Sequence, residues 1–392
     1  MSSWQGWPVL SVGFRPWFLL MLAFASFAMA AWAGVWLTAG WGGALQGVLD
    51  WRWHAHEMVF GVGTALVAGF LTTAAQNWTG RRAWSPAVLL LALGLWLAAR
   101  VTFVIVGAES IAPYLLSVAT ELLLLVVVAR LILLARQWHN LLFVLALLLM
   151  VLLDVAFAAQ RDSASLAGWV GWAGLLPIVS MLLFIAQRVV PPFSANRLGI
   201  APRRTGRTVA VILGGGPLVL LVLFALPVPD GLRALISAGI ALAAGYALLR
   251  WWHPAVLREP MLWLLFVGVL TVSLGLAWLA LELVGLPVNG RDGPVHALGL
   301  GALAVMALGM MTRVSAGHTG RPIALPRAFR PVLVILLGAV VLRLILPVWP
   351  GLQPSWLALT AGGLSLVYLA MLMVIGPWLI AERADAHPAV RR

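Results

Sequence analysis

The chain has 392 residues, 63% of them hydrophobic and only 9% charged, with a mean hydropathy of +1.03. Soluble domains carry about 25% charged residues, so this composition excludes a water-soluble fold and describes a polytopic membrane protein. All 25 basic residues are arginine and there is no cysteine, which excludes lysine Schiff-base and P-loop chemistry, iron–sulfur clusters, disulfides and thioether-linked haem. The net charge of +13 sits in short segments between apolar runs, where it sets topology and gives no nucleic-acid patch.

Hydropathy predicts an all-α chain of about twelve spans in a single transmembrane domain covering residues 1–392. Helix one follows Phe14-Arg15-Pro16-Trp17 and reaches Thr38. It is too long for a signal-peptide core and has no cleavage site. The next helices are predicted at about 55–78, 85–106, 111–135, 139–159 and 168–190. Then follow 208–227, 231–252, 261–285, 294–314, 328–347 and 355–381. The longest polar stretch, 191–207, reads as a loop. Placing the N-terminus and every second connection on one side puts 19 of the 25 arginines there. The other side receives Arg52, Arg100, Arg161, Arg233, Arg291 and Arg343. By the positive-inside rule both termini are cytoplasmic.

One stretch is echoed within the chain. Residues 54–82 match residues 294–322 at an ungapped offset of 240. His56 falls on His296, Gly61 on Gly301, Gly69 on Gly309 and Thr72 on Thr312, and Thr79-Gly80-Arg81 falls on Thr319-Gly320-Arg321. Each copy is a span with a histidine at the outer end and Thr-Gly-Arg at the inner end. Helix two therefore matches helix ten. A three-unit repeat of four helices fits this offset, with helix six as the third member, and resembles the twelve-helix layout of haem–copper oxidases. That is a likeness of layout only.

A histidine inside a membrane marks a candidate functional site. His56 and His296 begin helices of the same direction, and paired across a gap they would supply both axial positions of a b-type haem. Interfacial histidines capping helix starts are the plainer reading. His54 is two residues from His56, about 200° around a helix, so the two serve different partners. His318 lies 22 residues past His296, about 33 Å along a helix, too far to share its metal. Separate interfacial side chains are the favoured reading for His139 and His253. Glu121, Asp154 and Glu282 lie within or near apolar runs and are proton-relay candidates, against plain pairing with arginine. Glu57 is adjacent to His56 on the helix, and direct contact between the two is not expected. Met306, Met310 and Met311 offer thioethers to copper, against ordinary core packing.

Trp53-His54-Ala55-His56-Glu57-Met58 with Asn77-Trp78-Thr79-Gly80-Arg81 resembles the NnrS family. So do His296-Ala297-Leu298, Gly309-Met310-Met311-Thr312-Arg313 and Gly317-His318-Thr319-Gly320-Arg321, together with Phe14-Arg15-Pro16 and Arg188-Val189-Val190-Pro191-Pro192-Phe193. The likeness covers essentially the whole chain. It implies a twelve-span bacterial inner-membrane protein containing haem and copper, linked to nitric oxide stress and denitrification. His54, His56, His296 and His318 are then the cofactor or metal ligands. Nitric oxide is the ligand or substrate, and quinol or a separate donor supplies the electrons. The chain departs from the family pattern in helix nine, where Leu265-Phe266-Val267-Gly268-Val269 lacks the usual histidine, and at 154–160, which also has none. Both departures weaken copper more than haem. The functional reading is a haem-dependent response to nitric oxide, with its reduction or detoxification as the sharp form. The alternatives are a non-catalytic haem-containing sensor or haem carrier, and a secondary transporter.

Overall fold

The computed structural model describes residues 7–38, 49–161, 163–286, 293–325, 329–346 and 354–386. Among them every long element is a helix and there is no strand. Twelve helices follow the hydropathy: α1 Phe14–Thr38, α2 Trp51–Thr79, α3 Pro86–Val106, α4 Ala112–Leu134, α5 Leu141–Ala159 and α6 Leu175–Leu198, then α7 Arg207–Ala225, α8 Asp230–Trp251, α9 Pro260–Leu283, α10 Gly293–His318, α11 Arg330–Ile345 and α12 Pro354–Ile380. Eleven are long and apolar enough to cross a membrane, and α11, at 16 residues, is the short one. Leucines and valines exposed along the spans, among them Leu97, Val104, Leu122, Leu145 and Leu152, present the surface that lipid chains would solvate.

The chain divides into two compact units. The first comprises residues 1–174, 311–339 and 353–392, and the second comprises residues 175–310 and 340–352. In the first, α1 packs along α12, and mid-span Ser26 and Ser365 exchange hydrogen bonds to each other's carbonyl oxygens at 3.2 and 2.8 Å. In the second, Ser237 and Ser273 tie α8 to α9 through the carbonyls of Leu276 and Ala241, both at 2.8 Å. Helices in lipid lack a hydrophobic drive toward each other, so small residues and such bonds carry the association.

The prolines at 191 and 192 do not end the sixth helix as expected. It continues to Leu198 with both inside it, so the first part of the predicted 191–207 loop is helical. Proline removes a ladder donor, but burial of Val190, Pro191, Ser194 and Ala195 holds this turn in place. The helix is instead interrupted earlier, at Gly174, after a short helix Ala164–Ala173. A Cβ at Gly174 would stand 2.7 Å from Val59 and 2.8 Å from Phe60, so only glycine lets the chain pass this close to α2.

The internal echo has a structural counterpart. Both α2 and α10 contain a π-helical stretch, Glu57–Gly63 and Leu300–Met306, which overlap when shifted by the sequence offset. Such stretches are rare and favour functional positions. Gly61 and Gly301 lie inside them. A Cβ at Gly301 would meet the Gly268 carbonyl and the Val272 amide at 2.9 Å, so this glycine lets α9 and α10 touch backbone to backbone. Both Thr-Gly-Arg sequences are helix ends. Gly80 and Gly320 adopt positive φ of 65° and 71°, and Thr79 and Thr319 donate back to the carbonyls of Ala75 and Ser315. The third proposed equivalent, α6, is α-helical from Leu175 to Leu198 and shows no π stretch.

Candidate functional site

In the first unit a group of charged side chains is sealed inside the bundle. Asp50 starts α2, its carboxylate accepting from the amides of Arg52 and Trp53. One and a half turns later His56 enters the interior with no exposed surface. Its Nδ1 lies 2.9 Å from Glu57 Oε1 and its Nε2 lies 2.8 Å from Asp154 Oδ1, on α5. Arg100, on α3, donates from Nε to Glu57 Oε2 at 2.9 Å and from Nη2 to Glu57 Oε1 at 3.3 Å. All four residues are at most 4% exposed.

The π stretch explains why this cluster forms here. An α-helix spends every interior carbonyl on its own ladder, whereas a π turn breaks that register. Arg100 Nη2 donates to the Phe60 carbonyl at 3.1 Å, and Trp96 Nε1 donates to the Gly61 carbonyl at 3.0 Å. The guanidinium also lies over the Trp96 ring, 4.9 Å from its centroid. Gly61 leaves the room, since a Cβ there would stand 2.9 Å from Glu57 Oε2 and 3.1 Å from Arg100 Nη2. Four aromatic rings, Phe60, Phe103, Tyr114 and Phe157, surround the imidazole at centroid distances of 4.9 to 5.4 Å.

This geometry fixes a proton count. Ionised carboxylates accept hydrogen bonds and cannot donate them. An imidazole with both nitrogens against carboxylates therefore carries two N–H groups, or one of the carboxyl groups carries the extra proton. Either way the cluster holds one proton beyond a neutral imidazole between two carboxylates. With Arg100 its net charge is zero, the state in which such a group can lie in an apolar interior.

A step further into the bundle, Thr64 donates to Glu121 Oε1 at 2.7 Å. The other carboxyl oxygens of Glu121 and Asp154, and the hydroxyl of Ser117, are buried with no hydrogen-bond partner among the described residues. Among the proton-relay candidates, then, Glu121 and Asp154 fall in one unit and near each other, while Glu282 closes α9 in the second unit.

The histidines separate by environment. His54 turns to the opposite side of α2 and stacks on Trp32 of α1, with centroids 4.3 Å apart and planes 10° from parallel. His296 is half-buried in the second unit. Arg343 Nη2 lies 2.9 Å from its Nδ1 and 3.0 Å from its Nε2. His318, at the end of α10, sits beside Phe14 with ring centroids 5.4 Å apart, and its carbonyl accepts from Arg383. Met306, Met310 and Met311 are core side chains, at most 3% exposed. Among the described residues, no group of three or more His, Asp or Glu side chains is arranged to hold a metal ion.

As an axial haem ligand, His56 does not fit in this arrangement. Iron takes the lone pair of a neutral imidazole nitrogen. Both nitrogens of His56 are occupied by carboxylates, whereas the one Arg343 nitrogen that lies near both nitrogens of His296 cannot meet both of their in-plane lone pairs and does not close that ring to a metal. A carboxylate commonly supports a metal-bound histidine through its second nitrogen, but at His56 carboxylates take both.

Two polar residues of these sites do not stand out in the sequence. Arg100 and Arg343 read there as topology signals in loops, yet Arg100 lies within α3 and Arg343 within α11. The signal was present, because both fall inside predicted spans, where arginine is a functional flag in its own right. The expected lack of contact between His56 and Glu57 also fails. The wider turn that begins at Glu57 brings the two neighbouring side chains to one side.

The fold and cluster define a polytopic helical membrane protein with a charge-neutral polar group buried in its bundle. The family model of the NnrS protein matches residues 8–383, and the chain belongs to the NnrS family. A comparison with curated proteins found no match.

Proposed function

We propose that this chain is an inner-membrane protein of the nitric oxide response whose buried His56 cluster holds and passes protons. The carrying observation is His56 bonded through both nitrogens to carboxylates, inside a span, with no exposed surface. Ionisable groups at such depth are expensive, and proton transfer is a principal use for them. Membership of the NnrS family supports the link to nitric oxide, and the arginine bias supports cytoplasmic termini. Reduction of nitric oxide consumes protons as well as electrons. The cluster meets the first need, and a quinol or separate donor would meet the second. Haem b and copper remain expectations from the family, with no ligand assigned at His56 or His296.

The test is survival of a strain lacking this chain under anaerobic nitric oxide. The native protein should restore growth. His56→Gln and Asp154→Asn should lose most of that protection at equal membrane abundance, while Arg197→Gln, which breaks an exposed pair with Glu259, should keep it. Full protection by both cluster variants would remove the proton role. A second reading, proton-coupled transport, is favoured by the π interruptions of α2 and α10, because transporters place their sites at broken helices. It predicts proton movement in sealed vesicles without any electron donor.

A further inference from the structure

We infer that Glu121 is the inner proton-loading site of a water-bridged thread that runs from the His56 cluster along one face of α4. This rests on the proton-handling reading above and names the route. Helices α2 and α4 run in the same direction, as two contacts show. Tyr114 meets His56 ring to ring at 5.0 Å, and seven residues on Glu121 meets Thr64, eight residues past His56. At 1.5 Å per residue these separations are about 10 and 12 Å, so the two helices keep in step over this length. Tyr114, Ser117 and Glu121 are spaced three and four apart and share one face of α4. Ser117 therefore stands between the two observed contacts, facing α2.

Three polar atoms on this stretch lack partners: Asp154 Oδ2, Ser117 Oγ and Glu121 Oε2. Their residues are at most 1% exposed. Buried polar groups without protein partners are the usual hosts of internal water, which bonds to about three neighbours. Water joining these atoms would complete a hydrogen-bonded line from Asp154 to Glu121. The groups acting on Glu121 from neighbouring helices are Thr64 on α2, Arg100 on α3 and Asp154 on α5. Arg100 is already engaged by Glu57, and Thr64 supplies one neutral hydrogen bond. A carboxylate with that little support in an apolar interior is costly, so Glu121 holds its proton at rest. Transfer would release it from Glu121 through water and the Ser117 hydroxyl to the free oxygen of Asp154. Thr72 and Thr73, further inward on α2, bond to their own helix carbonyls. The thread therefore ends at Glu121.

Infrared spectra of the full chain in lipid, in H₂O and D₂O, test this. The native protein should show the carbonyl stretch of a protonated carboxyl, shifting in D₂O. The Glu121 component of that absorption should vanish in Glu121→Gln, and move without vanishing in Ser117→Ala and in Thr64→Val, at unchanged helix content by circular dichroism. A protonated carboxyl in the His56 cluster would add a separate component that Glu121→Gln leaves in place. Absence of the band, or a native-minus-Glu121→Gln difference spectrum with no carboxyl component, would overturn the inference. If Glu121→Gln does not fold, the Thr64→Val shift decides: an unmoved band overturns the inference too. Failure here would leave the survival phenotypes of His56→Gln and Asp154→Asn standing, so the route and the proton role fail separately.

Discussion

Replacing Arg100 with methionine should lower the unfolding free energy by about 3–5 kcal/mol, because it leaves a buried carboxylate without its cation. Among the described residues Glu57 pairs with Arg100 and His56, and the Arg100 and Glu57 side chains are at most 3% exposed. The substitution also removes the Arg100 hydrogen bond to the Phe60 carbonyl and takes the guanidinium from the Trp96 face. Reversible unfolding in mixed lipid and detergent measures it. The contrast is Arg197 and Glu259, whose side chains are 49% and 26% exposed. Breaking that pair should cost about 0–1 kcal/mol. Equal effects at the two sites would mean that the Arg100 pair is solvated and not sealed.

Replacing the whole cluster with apolar residues should separate stability from function. The combination His56→Phe, Glu57→Leu, Arg100→Met and Asp154→Leu removes two charges of each sign together. Buried ion networks exchanged entire for well-packed apolar residues are often neutral or more stable, by about 1–4 kcal/mol. The quadruple variant should therefore fold at least as well as Arg100→Met, and regain most of the stability lost there. It should nonetheless give no protection against nitric oxide. A variant that folds and still protects would show that the cluster is architecture alone. The charges are then retained for what they do, since a greasier core would hold the helices equally well.

Much of this was legible in the sequence. Spans of low charge reveal themselves by composition, because a bilayer admits only helices with satisfied backbones, and the twelve helices fall where hydropathy put them. The echo of α2 in α10 was legible as well, since shared glycines and Thr-Gly-Arg reflect shared local structure. His56, Glu121 and Asp154 stood out as polar residues in apolar runs. Their association could not be read, because it depends on how α2, α4 and α5 face one another, and hydropathy carries no rotation about a helix axis. The π stretch at Glu57–Gly63 was equally hidden. It shifts the register by a fraction of a turn without altering composition, yet it brings Glu57 to His56 and turns the Phe60 and Gly61 carbonyls toward Arg100 and Trp96. Arg100 was obscured by counting arginines toward orientation, which takes no account of which ones lie inside a span.

The central claim is that His56 is a proton-holding residue between two carboxylates. Solid-state NMR of the lipid-embedded protein with ¹⁵N-labelled histidine rings tests it most directly, with His56→Gln to assign the signals. Two N–H nitrogens on His56, both correlated to carboxyl carbons, or one N–H donating to a carboxylate while the second nitrogen accepts from a protonated carboxyl, is the predicted result. A His56 nitrogen bearing a free lone pair, or one shifted by bound iron, would contradict the account and return His56 to the role of a haem ligand.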